Sequence, residues 1–235
     1  MRRVCLPILL FAAYPGAAQP RADDAQLHAS LPRENLFRIA AGQQRLEAAA
    51  TICLVTDPNR PIVGAAATLT NQMFVAIRVV LRWHEPQLCP ARAAAPVFLT
   101  FAIHTPEAYF RGALGVALPL EGSHAWVFYD RAQRAARDDT GLTALLAHVM
   151  AHEIAHVLQG TTRHSENGIL KAHWSDTDSA RMAYFPLMFT REDGILIHKG
   201  LEERRARLVS NSSNGVPPDH ANEISAPVKT PWPAP

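Results

Sequence analysis

Between residues 139 and 160, apolar side chains recur every three or four positions: Leu142, Leu145, Leu146, Val149, Met150 and Val157. At about 100° per residue they fall on one stripe, which predicts an amphipathic helix with a single buried face. Asp139 and Thr140 are good N-cap types for its start, and Gly160 is placed to end it. Upstream the pattern changes to short runs rich in β-branched and aromatic residues, which predict strands at 51–56 (TICLVT), 79–83 (VVLRW), 96–103 (PVFLTFAI) and 125–129 (AWVFY). Asp57-Pro58-Asn59 closes the first as a turn, and a helix is expected from 65 to about 77. Residues 112–124 contain Gly112, Gly115, Pro119 and Gly122 and read as a loop or irregular edge, and 130–137 as a polar connection. Further helices are expected at 33–49, 177–184 and 190–208. The order predicts one α/β (α+β) domain, a small mixed twisted sheet packed on the 139–160 helix, with C-terminal helices.

Within that central helix, Glu153 falls inside the apolar stripe, and His152 and His156 fall at its edge. A carboxylate on a face due to be buried needs a reason, because an unpaired buried charge is costly. The spacing H-E-x-x-H supplies one. Histidines four apart stand one turn from each other and can share a zinc ion, with the glutamate beside them placed to take a proton from a zinc-activated water. Gly160 permits the sharp turn that would return His164 as a third ligand. Three imidazoles leave one coordination position open, as in catalytic zinc sites. Glu166, His173, Asp176 and Asp178 compete with His164 for the third place, and His148, one turn before His152, reads as a supporting or surface histidine. The bland alternative for His152, Glu153 and His156 is a satisfied polar cluster on a core helix.

Composition changes this picture little. The chain has 235 residues, 48% hydrophobic and 19% charged, and a net charge of +2, so nothing points to nucleic acid. Eleven histidines, five of them between 148 and 173, favour metal chemistry. The start reads as a signal peptide over 1–18: Arg2 and Arg3, an apolar run over 5–13, then Gly16, Ala17 and Ala18. A buried N-terminal strand or helix is the alternative. Export, to the outside or a periplasm, follows from the signal. No later segment looks apolar enough to cross a membrane, so no stable membrane insertion is expected. Cys53 and Cys89 would remain after removal of the signal, either as a disulfide or as two separate buried thiols. Oligomeric state is not legible.

The stretch HEIAHVLQGTTRHSENGILKAHW resembles the metzincin clan of zinc endopeptidases, whose pattern is H-E-x-x-H-x-x-G-x-x-H followed by a methionine turn. It looks most like the matrixin version, with His164-Ser165 and then Gly168-Ile169-Leu170, and also resembles secreted bacterial proteins with an H-S-x-x-G-I-M-type continuation. The gaps on either side of Gly160 are each one residue longer than the clan's pattern, and Leu170 stands where its methionine would form the floor under the metal. Met182 and Met188 are alternatives for that floor. The resemblance implies a secreted Zn2+-dependent endopeptidase with Glu153 as general base and a peptide or protein as substrate. It also implies a substrate-binding edge strand, expected at Ala125, Trp126 and Val127, or else in 112–118. The chain then divides into a signal (1–18), a linker or N-terminal extension (19–48), a zincin-like domain (49–209) and a disordered tail (210–235). A gluzincin-type peptidase with a carboxylate as third ligand, and an inactive exported zinc-binding domain, are the competing readings.

Overall fold

Asn59 sets the first long helix, α1 (Arg60–Val75): its side-chain oxygen accepts from Ile62 N at 3.5 Å, and Pro61 occupies the first turn. Of the turn expected at 57–59, only Asn59 is among the described residues, where it caps the helix, and α1 starts five residues before the expected position. The computed structural model describes residues 48–55, 59–90 and 95–213, with side chains described to residue 210. All of these fall within one compact unit, Glu47–Pro235. The signal, the linker except for Ala48, most of the 33–49 helix and the tail beyond 213 lie outside the described residues.

Strand β1 (Ala48–Leu54) precedes α1, and its Ala48, Ala50 and Ile52 are buried in alternation. Ala48 and Ala49, the last two residues of the expected 33–49 helix, belong to this strand because they pair with Val79 and Val80 of β2 (Val79–His84). Strands β3 (Val97–Ala102), β4 (Gly115–Leu118) and β5 (His124–Phe128) complete a mixed, twisted five-stranded sheet of order β2-β1-β3-β5-β4. All neighbours are parallel except β4, which runs antiparallel to β5. The α/β class is as expected. Cys53 of β1 and Cys89, just past a 3-10 turn (Pro86–Leu88), form a disulfide across a Cα separation of 5.8 Å.

Two expectations are corrected here. Ala125, Trp126 and Val127 do not form an edge strand, since β5 is hydrogen-bonded on both sides. Their side chains explain why: Ala125 and Val127 enter the main core while Trp126 and Phe128 enter a second cluster on the opposite face. A strand apolar on both faces belongs inside a sheet. The edge on this side of the sheet is β4, within the 112–118 segment that was the alternative expected for it. The polar connection at 130–137 is largely a helix, α2 (Tyr129–Ala135), whose Tyr129 and Ala132 are buried.

The central helix, α3 (Asp139–Gln159), is capped by Asp138, whose Oδ1 accepts from Gly141 N at 2.8 Å, and ends at Gly160 with φ +69°. Every residue from 144 to 158 is buried, so the expected single stripe is corrected to burial on all sides. α1, the sheet and the C-terminal helices α4 (Asp176–Met182) and α5 (Arg191–Ser213) surround it. This also corrects the membrane reading: α3 has 21 residues and is long and apolar enough to span a bilayer, but its apolar surface is buried within the protein. α5 runs to Ser213, so residues 210–213 are helical rather than part of a disordered tail.

Candidate metal centre

His152 and His156 project from the last two turns of α3. Each donates its Nδ1 proton to a main-chain carbonyl just beyond the helix, His152 to Ile169 O at 2.8 Å and His156 to Thr161 O at 2.9 Å. Those bonds fix the tautomer and leave each Nε2 as a lone-pair donor. The two Nε2 atoms lie 3.0 Å apart. Facing lone pairs at that distance repel unless a proton or a metal ion lies between them. A proton is disfavoured, because burial first and neighbouring charges second hold His152 down to about 3, and burial holds His156 down to about 4.

His164 closes the group. Gly160 turns the chain in the left-handed region, and the ring of His164 returns to within 5.3 Å of the His152 ring and 4.9 Å of the His156 ring, centre to centre. One ring nitrogen from each of the three histidines lies within 4.8 Å of the others. Among the described residues this is the group of metal-ligating side chains that comes together. Its donor chemistry, three neutral imidazoles with two tautomers fixed, fits a borderline-soft divalent ion such as zinc. The other candidates for the third place do not join that group. His173 and Asp176 line the same cleft without bringing a ligand atom to the cluster, and Glu166 is exposed. Asp178 accepts from Lys171 Nζ at 2.6 Å and from Ser175 N and Oγ, and those bonds hold its carboxyl down to about 2.

Glu153 is only 7% exposed, and burial drives its carboxyl up to about 8. It lies against Gly115, the first residue of β4: a Cβ there would stand 2.7 Å from Glu153 Oε1. Glycine at 115 therefore makes room for this carboxyl. Glu153 and the three histidines line one cleft of about 1020 Å³, with Gly115 to Ala117 of β4 on one side and Met182 and Tyr184 on another.

The supporting residues fall as follows. Leu170 is fully buried in the main core, and the carbonyl of the preceding Ile169 is the one that holds His152. Met182 is buried and also lines the cleft, whereas Met188 is half exposed. His148 is not on the surface. It is fully buried, bonded from Nδ1 to Ala144 O at 2.6 Å, with Nε2 accepting from Leu187 N at 2.9 Å. Trp174 packs edge-on against both His148 and His152, with ring centres at 6.1 and 5.6 Å. Sequence reasoning missed Gly115 and Trp174; the one available signal was a glycine within an otherwise apolar stretch before β5.

No family model matches the sequence, and no curated protein matches it. Among solved structures, the chain is similar to a crystal structure of archaemetzincin from Methanopyrus kandleri, at 16% identity and a TM-score of 0.46 over 67% of this chain and 98% of that one. A likeness at that level assigns no residue a role.

Proposed function

We propose that this chain is a secreted or periplasmic zinc-dependent endopeptidase of metzincin-like, matrixin-type design. His152, His156 and His164 hold the metal and Glu153 is the general base. One observation carries the reading: two imidazoles with fixed tautomers aim their lone pairs at a common point beside a third imidazole and a buried carboxyl, all in one cleft. Zinc held there would acidify a water and polarise a scissile carbonyl.

The chain's own residues supply the rest. Glu153 takes a proton from the attacking water and returns it to the leaving amine nitrogen. Its carboxyl is pushed up to about 8 by burial; a divalent ion held by the three histidines would lower it toward the range useful for a base. The free edge of β4 lines the cleft, and an extended peptide adding to that edge would lie across the histidines. The Cys53–Cys89 disulfide and the N-terminal basic-then-apolar order support an exported protein.

The test uses zinc-loaded protein and its Glu153→Gln variant on a peptide library and on denatured protein. The variant is expected to keep one zinc per chain and lose hydrolysis. Hydrolysis at the wild-type rate by Glu153→Gln would remove Glu153 from the mechanism. A wild type that holds zinc but cleaves nothing would make the chain an inactive exported zinc-binding domain.

A further inference from the structure

The three histidines are not held alike. His152 and His156 stand on a helix, and each is fixed again by a hydrogen bond from Nδ1. His164 stands in irregular chain between Gly160 and Ser165, is exposed, and among the described residues its ring takes no hydrogen bond. Yet a metal ligand must be held in place, or ordering it on binding costs affinity.

The residues on either side of His164 are gripped by one side chain. Asp193, in the first turn of α5, is fully buried. Its Oδ1 accepts from Ser165 Oγ at 2.5 Å and from Arg163 Nη1 at 3.1 Å. Its Oδ2 accepts from Thr190 N at 2.9 Å, while Asp193 N donates to Thr190 Oγ1 at 3.2 Å, so the carboxylate is itself fixed by the helix cap. Arg163 also donates to Ser165 Oγ at 3.2 Å and to Glu192 Oε2 at 2.5 Å. The main-chain oxygen of Asp193 accepts from Gln159 Nε2 at 3.3 Å, which ties the same residue to the end of α3. From the other side, Ser165 N donates to Leu170 O at 2.7 Å. A buried carboxylate serving two groups that flank a single histidine, with a charge-assisted bond to one of them, fixes backbone position more strongly than neutral bonds do.

We propose that Asp193 is a positioning residue of the metal centre: by holding Arg163 and Ser165 it places His164 for coordination. This rests on the three-histidine zinc reading above. The longer gap between Gly160 and His164 gives the grip its purpose, since a longer return loop has more conformations to lose.

The experiment measures zinc affinity by chelator competition, together with the visible spectrum of the cobalt-substituted protein, for the full chain carrying Asp193→Asn, His164→Ala or both. Asp193→Asn is expected to weaken zinc binding about 10–100-fold and to move the cobalt spectrum toward that of His164→Ala. In the His164→Ala background it should add nothing, because the two changes act through one ligand. Ser165→Ala, a milder change, should shift both readouts the same way and serves if Asp193→Asn does not fold. A lower melting temperature with zinc affinity and cobalt spectrum unchanged would give Asp193 a purely structural role and overturn the proposal. So would an equal loss with and without His164. Wild-type protein that binds no zinc would sink the three-histidine reading itself, whereas normal wild-type binding with a neutral Asp193→Asn sinks only this inference.

Discussion

Replacing Gly115 with alanine puts a methyl group where the proposed general base now lies. The new Cβ would stand 2.7 Å from Glu153 Oε1, 2.8 Å from Glu153 Cγ and 2.8 Å from Trp126 O. Carbon contacts settle at about 3.5–4.0 Å, so relief takes roughly 1 Å of movement. Trp126 O belongs to the backbone of β5, which is paired on both sides and cannot yield without loosening the ladder. The Glu153 side chain is the softer partner and moves first. A catalytic group displaced by about 1 Å can cost about 100-fold in rate. Overpacking at the same site costs about 1–3 kcal/mol, which for a domain of this size lowers Tm by about 2–12 °C. The histidines are not in this contact, so zinc affinity should hold. The assay pairs kcat on a cleavable peptide with a thermal melt and a zinc titration. A Gly115→Ala protein with wild-type kcat and Tm would refute the placement of Glu153 against β4. Loss of zinc in parallel with kcat would refute the claim that the damage is confined to the base.

Three further outcomes follow from the same geometry. Cys53 and Cys89 are 36 residues apart, and a loop of that length implies about 4 kcal/mol of stabilisation in the chain-entropy model. The Cys53→Ala/Cys89→Ala double variant should unfold at correspondingly lower urea, and an unchanged midpoint would contradict this. His148 titrates near 6.5 when unfolded and is held down to about 4 by burial in the fold, so below 6.5 the unfolded chain binds the extra proton. Zinc-free protein should therefore lose stability as the pH falls from 6.5 to 4, with His148 contributing on the order of 3 kcal/mol. His148→Gln should flatten that slope, and an identical slope in the variant would refute it. Leu170→Met conserves volume in the core and should cost less than about 1.5 kcal/mol with zinc affinity unchanged; a large loss of zinc would show that the leucine shape itself supports the site.

The parts of the site that sit on one helix were legible in the sequence, because local spacing fixes them. His152, Glu153 and His156 needed only the helical repeat, and Gly160 needed only its tolerance of positive φ. The burial of α3 on every side was not legible, since a stripe reports one face and the others are covered by α1, α5 and the sheet, distant in sequence. β4 was read as an irregular edge because it has four residues and begins with glycine; its strand character comes from pairing with β5. Ala125 to Val127 are excluded from the edge by their own pattern: AWVF is apolar on both faces, and that pattern belongs to an interior strand. α2 was missed because its seven residues bury only Tyr129 and Ala132, too few to show a period. Whether His148 supports the site or lies at the surface is not legible in the sequence, because burial is a tertiary property. Asp193 could not be found from sequence at all, since its partners Arg163 and Ser165 lie about 30 residues away.

The proposed function stands on one metal ion held by three imidazoles. A crystal structure of the zinc-loaded protein, with anomalous scattering recorded across the zinc edge, tests it most directly. A single full-occupancy zinc is expected, bound by Nε2 of His152, Nε2 of His156 and a ring nitrogen of His164, with Glu153 beside it and not bonded to it. Zinc found elsewhere, or a third bond from Glu166, His173, Asp176 or Asp178 in place of His164, would contradict it.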